Sequence, residues 1–165
     1  MPSTQALGHE MTHAYDKNGR DWDDRGKRWN WWSRSSMASY EDRLKCIRTS
    51  HVEVERALRH WEDGAKQDPE NLADFGGAYV AYRAFRDLSP DQRCFSVAGF
   101  SSEQLFFIGH CVKWCRPLNV HRNQNYARGL LRCIVPLMHM PQFSDAFGCR
   151  RHDHMNPARK CSFWL

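Results

Sequence analysis

A chain of 165 residues is long enough for one domain with a sizeable core. Its mean hydropathy is −0.74 and it holds no apolar run of about 18 residues, which excludes a membrane-spanning helix; Met1 to Ala6 also lack the basic start and apolar core of a secretory signal. The net charge of +5 is scattered among acids, including the basic and aromatic stretch from Arg25 to Trp32, and reads as a mixed solvated surface rather than a nucleic-acid footprint.

The first predicted element carries chemistry. Ser3 or Thr4 is placed to cap a helix running to about Tyr15. Within it, Leu7-Gly8-His9-Glu10-Met11-Thr12-His13 contains His-Glu-x-x-His. His9 and His13 are four apart, so on a helix they share a face and can bind one metal ion. Glu10, one residue further round, can reach a water on that metal. Zinc lowers the pKa of such a water to about 7, and Glu10 can take its proton and later hand it to a leaving amine. A surface helix with two unrelated histidines would carry the same five residues.

Asp16 to Gly26, with Asn18-Gly19 and Asp23-Asp24, reads as turn and loop. A helix is expected from about Trp31 to Ile47, with apolar positions at Trp32, Met37, Tyr40 and Leu44; His51 to Trp61 is also helix-compatible. Pro69 suits the first turn of the next helix, which carries Glu70 and Asp74 and continues through Tyr79, Tyr82 and Phe85. Two carboxylates four apart face the same way. They could serve a metal site, Glu70 as ligand and Asp74 as acceptor of the spare N–H of His9 or His13, or simply favour a helix start.

Ser89-Pro90 to Gly99 reads as loop. Ser101-x-x-Gln104 is a capping box opening an apolar helix to about Trp114. Residues Arg116 to Asn125 look irregular, and Pro141 to Phe147 suits a short last helix before a Pro- and Gly-punctuated tail. The chain therefore reads as mainly α, with few strand signals. Of seven cysteines at least one must stay unpaired within the chain. Cys111-x-x-x-Cys115 beside His110 lacks the second ligand pair that a structural zinc site needs.

His-Glu-x-x-His followed by Glu70-Asn71-x-x-Asp74 resembles the neprilysin family of zinc endopeptidases, which includes the endothelin-converting enzymes. Further collinear matches are Asp16-Lys17-Asn18-Gly19-Arg20, Trp31-Trp32, Glu103-Gln104-Leu105-Phe106-Phe107-Ile108 with Trp114-Cys115, and Gln142 to Cys149 with Met155-Asn156-Pro157 and Cys161. The resemblance runs from about Leu7 to the end. It implies a helical, thermolysin-like gluzincin catalytic subdomain, truncated at its N-terminus, with residues 1–165 forming one domain. It implies one Zn2+ per chain on His9, His13 and Glu70, with Glu10 and Asp74 catalytic, a peptide substrate, and a disulfide Cys46–Cys161. Cys115 and Cys149 match family cysteines whose partners lie upstream, while Cys94, Cys111 and Cys133 have no assigned counterpart. The family is extracellular or cell-surface, so membrane attachment would come only through an N-terminal anchor absent here.

One segment departs from the family. Its His-Ser-Pro-Gly-x-x-Arg stretch maps onto Tyr126-Ala127-Arg128-Gly129-Leu130-Leu131-Arg132. Gly129 and Arg132 agree, which implies that Arg132 binds the substrate carbonyl. Tyr126 stands at the histidine position, where its hydroxyl could donate to an oxyanion; His121 is the other candidate. The expected function is a zinc metalloendopeptidase acting on internal bonds of small peptides. The alternatives are an inactive zinc-binding fragment and a secreted, disulfide-bonded interaction module with relic ligands.

Overall fold

A computed structural model describes residues 2–58, 64–115 and 124–164. Helix α1 (Pro2–Thr12) runs on into a 3-10 turn, His13–Tyr15. It begins at Pro2, so Ser3 and Thr4 lie inside the first turn rather than capping it. Helix α2 (Arg34–Ala57) merges the two stretches expected separately. No Gly or Pro interrupts it, and its buried Tyr40, Leu44, Ile47, His51 and Glu55 form one continuous stripe at helical spacing. It starts at Ser33, whose hydroxyl accepts from the Ser36 N–H, leaving Trp31 and Trp32 outside.

Helix α3 (Asp68–Arg86) has Pro69 in its first turn, as expected. The stretch 89–99 is not all loop. It holds a short helix α4 (Pro90–Arg93) and β1 (Ser96–Val97), which forms a hairpin with β2 (Phe100–Ser101) just beyond it, paired Ser96 to Ser101 and Val97 to Phe100. Ala98 and Gly99 turn it with φ of 53° and 81°, the left-handed pair that a tight hairpin requires. Helix α5 (Ser102–Val112) opens on the Ser101/Gln104 capping box, and α7 (Pro141–Phe147) ends on left-handed Gly148. Helix α6 (Gly129–Met138) was not expected, because Gly129 and Pro136 both weaken helical reading. Burial of Leu131, Val135 and Leu137 overrides that preference. Among the described residues no helix is long and apolar enough to cross a membrane.

Helix α3 is the centre of the molecule. One side packs Ala78, Tyr82 and Phe85 against Phe106, Phe107, Leu137 and Phe143; another packs Leu72 and Phe75 against Tyr40, Leu44, Ile47 and Phe163. A third side lies directly on α1. A Cβ on Gly77 would sit 2.8 Å from the Gln5 carbonyl oxygen and 2.9 Å from His9 N, and one on Gly76 would sit 2.4 Å from Thr12 Oγ1. Two adjacent glycines thus let the backbones of α1 and α3 touch, bringing His9 within side-chain reach of Glu70 and Asp74.

Two disulfides brace this arrangement. Cys46–Cys161 ties α2 to the tail across 115 residues, a loop whose closure is worth about 4–5 kcal/mol in the chain-entropy model. Cys111–Cys133 joins α5 to α6 and was not anticipated. It removes Cys111 from any Cys-x-x-x-Cys metal site. Cys94 and Cys115 are exposed free thiols, and Cys149 is half-buried.

Three histidines are buried as neutral groups. His139 Nε2 contacts Ser50 Oγ at 2.8 Å, and its Nδ1 accepts from the Cys161 N–H at 2.9 Å. His110 Nε2 faces the carbonyls of Arg132 and Cys133, and its Nδ1 meets the Gln5 side-chain amide. His51 has no hydrogen-bond partner on either ring nitrogen among the described residues. Burial pushes His51 down to about 3, and His110 and His139 to about 4. The unfolded chain takes up these protons near pH 6.5, whereas the folded chain resists them until about pH 4. The stability that these three neutral rings contribute is therefore expected to be full above pH 6.5 and to fall through the window from 6.5 to 4, by up to about 1.4 kcal/mol per pH unit for each histidine. Urea midpoints at pH 7, 6 and 5 measure this, and a flat series would disprove it.

Candidate metal centre

The helical spacing of His9 and His13 does what it predicts. Their Nε2 atoms lie 3.2 Å apart. Glu70, from the first turn of α3, faces them: its Oε2 is 3.2 Å from His9 Nε2 and its Oε1 is 3.8 Å from His13 Nε2. One ligand atom from each of the three residues lies within 4.8 Å of the others. Two histidines and one carboxylate are the protein donor set of a catalytic zinc site, in which water takes the fourth position.

The outer partners make the fit stronger. His9 Nδ1 lies 3.1 Å from Asp74 Oδ1, and His13 Nδ1 lies 2.6 Å from Asp16 Oδ2. A carboxylate on each Nδ1 selects the tautomer that carries its proton there. Both Nε2 lone pairs then point at each other and at Glu70, whose Oε2 is buried and accepts no well-formed hydrogen bond among the described residues. Such a cluster of acceptors needs a cation. The protonation of His9 expresses the same demand. Burial, the largest influence, works against the charged ring, but the Asp74 and Glu70 carboxylates outweigh it and raise His9 to about 9. A zinc ion would take the place of that proton. The residues present therefore fit the metal.

In the sequence Asp16 stands out only as the first residue of the Asp16-Lys17-Asn18-Gly19-Arg20 match. Its Oδ1 also accepts the backbone N–H groups of Asn18 and Gly19 at 2.7 and 2.8 Å, so the turn aims the carboxylate at His13. Gly19 is required there, because a Cβ would fall 1.9 Å from the His13 carbonyl oxygen. In the same turn Arg20 pairs with Glu41 at 2.8 Å and lies over the Tyr40 ring, and its carbonyl accepts from Trp32 Nε1.

Asp74 is the junction of the site. It is 1% exposed and holds His9 on one side and Arg132 on the other, with Arg132 Nε at 2.5 Å and Nη2 at 2.9 Å. Burial pushes its carboxyl up, but the bonds from His9 and Arg132 outweigh burial and hold it below the usual range. Arg132, expected to bind substrate, thus commits Nε and Nη2 to Asp74, with Nη2 also 3.7 Å from Glu70 Oε2. His110 holds the Arg132 carbonyl and so helps to position it.

Glu10 sits exposed beside the cluster and takes no part in it. Tyr126 is half-buried, with its hydroxyl in hydrogen-bonding reach of Glu70 and its ring 4.8 Å from the Arg132 guanidinium; the Glu70 charge raises its phenol. The Glu10 charge acts on it in the same direction. His121 lies outside the described residues. A surface hollow of about 740 Å3 between Tyr15, Trp22, Trp29 and Trp31 holds none of these groups; donor chemistry, not hollow size, picks out the site.

Comparison with known proteins gives a consistent picture. The sequence model of Peptidase family M13 matches residues 4–163. Neprilysin of Mus musculus is 31% identical over 169 residues, covering 96% of this chain and 22% of that protein. An endothelin-converting enzyme homolog of Locusta migratoria is 31% identical over 168 residues, covering 96% and 23%. The zinc metalloprotease of Mycobacterium tuberculosis, solved with an inhibitor, superposes with a TM-score of 0.81 at 22% identity, over 98% of this chain and 27% of that one. The chain spans about a fifth of the length of the curated relatives it matches.

Proposed function

From the premise that this chain belongs to peptidase family M13, we propose that it carries the metal-binding and catalytic residues of a zinc metalloendopeptidase that hydrolyses internal bonds of small peptides. The observation that carries this reading is the convergence of His9 Nε2, His13 Nε2 and Glu70, with both Nδ1 atoms held by carboxylates. A zinc ion held by these three residues would supply Lewis-acid polarisation of a carbonyl and lower the pKa of a water to about 7. Glu10 accepts the proton that the attacking water loses as its oxygen bonds to the carbonyl carbon. It then delivers that proton to the amide nitrogen as the carbon–nitrogen bond breaks, and the proton left on the new carboxylic acid passes to the released amine, so the products are a carboxylate and an ammonium. Asp74 and Asp16 hold the two imidazoles in register. Arg132 orients the substrate, and Tyr126 donates to the oxygen that gains charge. Two disulfides favour an oxidising, extracellular or cell-surface setting. Residues 1–165 act as one domain in this reading.

A second reading is a zinc-binding chain without turnover. It is favoured by the Tyr126 hydroxyl lying against Glu70. Zinc content per purified chain, compared between wild type and His13→Ala, together with cleavage of a fluorogenic peptide, separates the two. One zinc in wild type, lost in His13→Ala, with cleavage by wild type supports the enzyme. Zinc without cleavage selects the second reading, and no zinc in wild type defeats both.

A further inference from the structure

Arg132 links the metal centre to a second feature, the side chain of Trp114. The Arg132 guanidinium carbon lies 4.1 Å from the centre of the Trp114 ring, and the Lys113 ammonium lies 4.3 Å from the same ring. Two cations thus share one indole at the end of α5. They are not equally satisfied. Arg132 is neutralised by Asp74, whereas no carboxylate pairs with Lys113 among the described residues. The Asp74 charge also acts on Lys113, but at a distance and already bound to His9 and Arg132. Trp114 Nε1 is buried with no acceptor among the described residues. Half-burial of Lys113, with Arg132 as a like charge nearby, lowers its ammonium to about 8.

An unpaired, half-buried ammonium beside a second cation and an unsatisfied N–H is a site that gains from a carboxylate. Its position says which carboxylate. Lys113, Trp114, Arg132 and Glu70 follow one another in steps of 4.3, 4.1 and 3.7 Å. An extended peptide advances about 3.3–3.6 Å per residue, so a substrate lying across the metal centre brings a side chain near Lys113 within about four residues of the cut bond.

We infer that Lys113, backed by Trp114 and Arg132, is a specificity-determining residue that selects peptides with an acidic side chain close to the scissile bond. This rests on the metallopeptidase reading above. The α5–α6 disulfide Cys111–Cys133 holds the wall together, since it joins the residue two before Lys113 to the residue after Arg132.

The test uses peptide pairs that differ only by Glu or Gln at one position within about four residues of a single cleavable bond. Binding is measured on the zinc-loaded Glu10→Gln chain, and cleavage on the zinc-loaded wild type. The Glu peptide is expected to bind roughly tenfold more tightly at one of these positions, as one charge-assisted contact predicts. Lys113→Met should erase that ratio and Lys113→Arg should restore it, so the arginine variant guards against a mere folding defect. A ratio of one in wild type, a ratio that survives Lys113→Met, or failure to bind either peptide overturns the inference. Discrimination in binding without cleavage by wild type upholds it and defeats the enzyme reading instead. Cleavage of both peptides at equal rates leaves the enzyme reading standing and sinks the specificity claim alone.

Discussion

Glu10→Gln is expected to lower kcat for peptide cleavage by about 10²–10⁴-fold while leaving one zinc per chain. The two effects separate because Glu10 stands beside the His9, His13 and Glu70 cluster without contributing to it. Glutamine keeps the shape and the helix preference but cannot accept a proton, and general acid–base catalysis is worth that range in rate. Glu10 is exposed, so the change should move stability by no more than about 0.5 kcal/mol. Zinc content by atomic emission and kcat on an internally quenched peptide are the two readouts. Loss of zinc would mean that Glu10 is a ligand, and retained turnover would mean that another group moves the proton.

The parts of this site that sequence reveals are those that depend on local spacing. His9 and His13 face one way because four residues is close to one helical turn, and Glu70 and Asp74 repeat the pattern. Which histidine Asp74 would serve was open, and the close packing of α1 on Gly76 and Gly77 decides for His9. The contact of Asp16 with His13 has no helical period to show it, because Asp16 acts from a turn beyond the helix end; its signal is His13-x-x-Asp16 running into Asn18-Gly19, an Asx-type turn that fixes a carboxylate. The Asp74–Arg132 pair spans 58 residues and Cys111–Cys133 spans 22. Neither has a local period, and α6, which carries one end of each, was hidden by Gly129 and Pro136. The mainly helical class was legible, whereas the hairpin at 96–101 was not, since it has only two residues per strand and an alanine in a left-handed turn position.

Asp74→Ala is expected to do two kinds of damage that can be measured apart. The Arg132 guanidinium, 11% exposed, would lose both bonds to its carboxylate partner, and stranding a buried charge costs about 3–5 kcal/mol. His9 would lose the acceptor on Nδ1 that keeps Nε2 free for metal, and removing such a partner weakens zinc binding about 10–100-fold. The double variant Asp74→Ala/Arg132→Met separates the two causes. With the cation gone as well, much of the lost stability should return, because the pair leaves together. Zinc affinity should stay low, because the His9 ring is still unsupported. Urea unfolding without metal and zinc titration against a competing chelator supply the two numbers. A double variant no more stable than Asp74→Ala would rule out the stranded guanidinium as the source of the loss. Zinc affinity recovering along with stability would mean that Asp74 serves the metal only by holding Arg132, and that the bond to His9 carries no weight of its own.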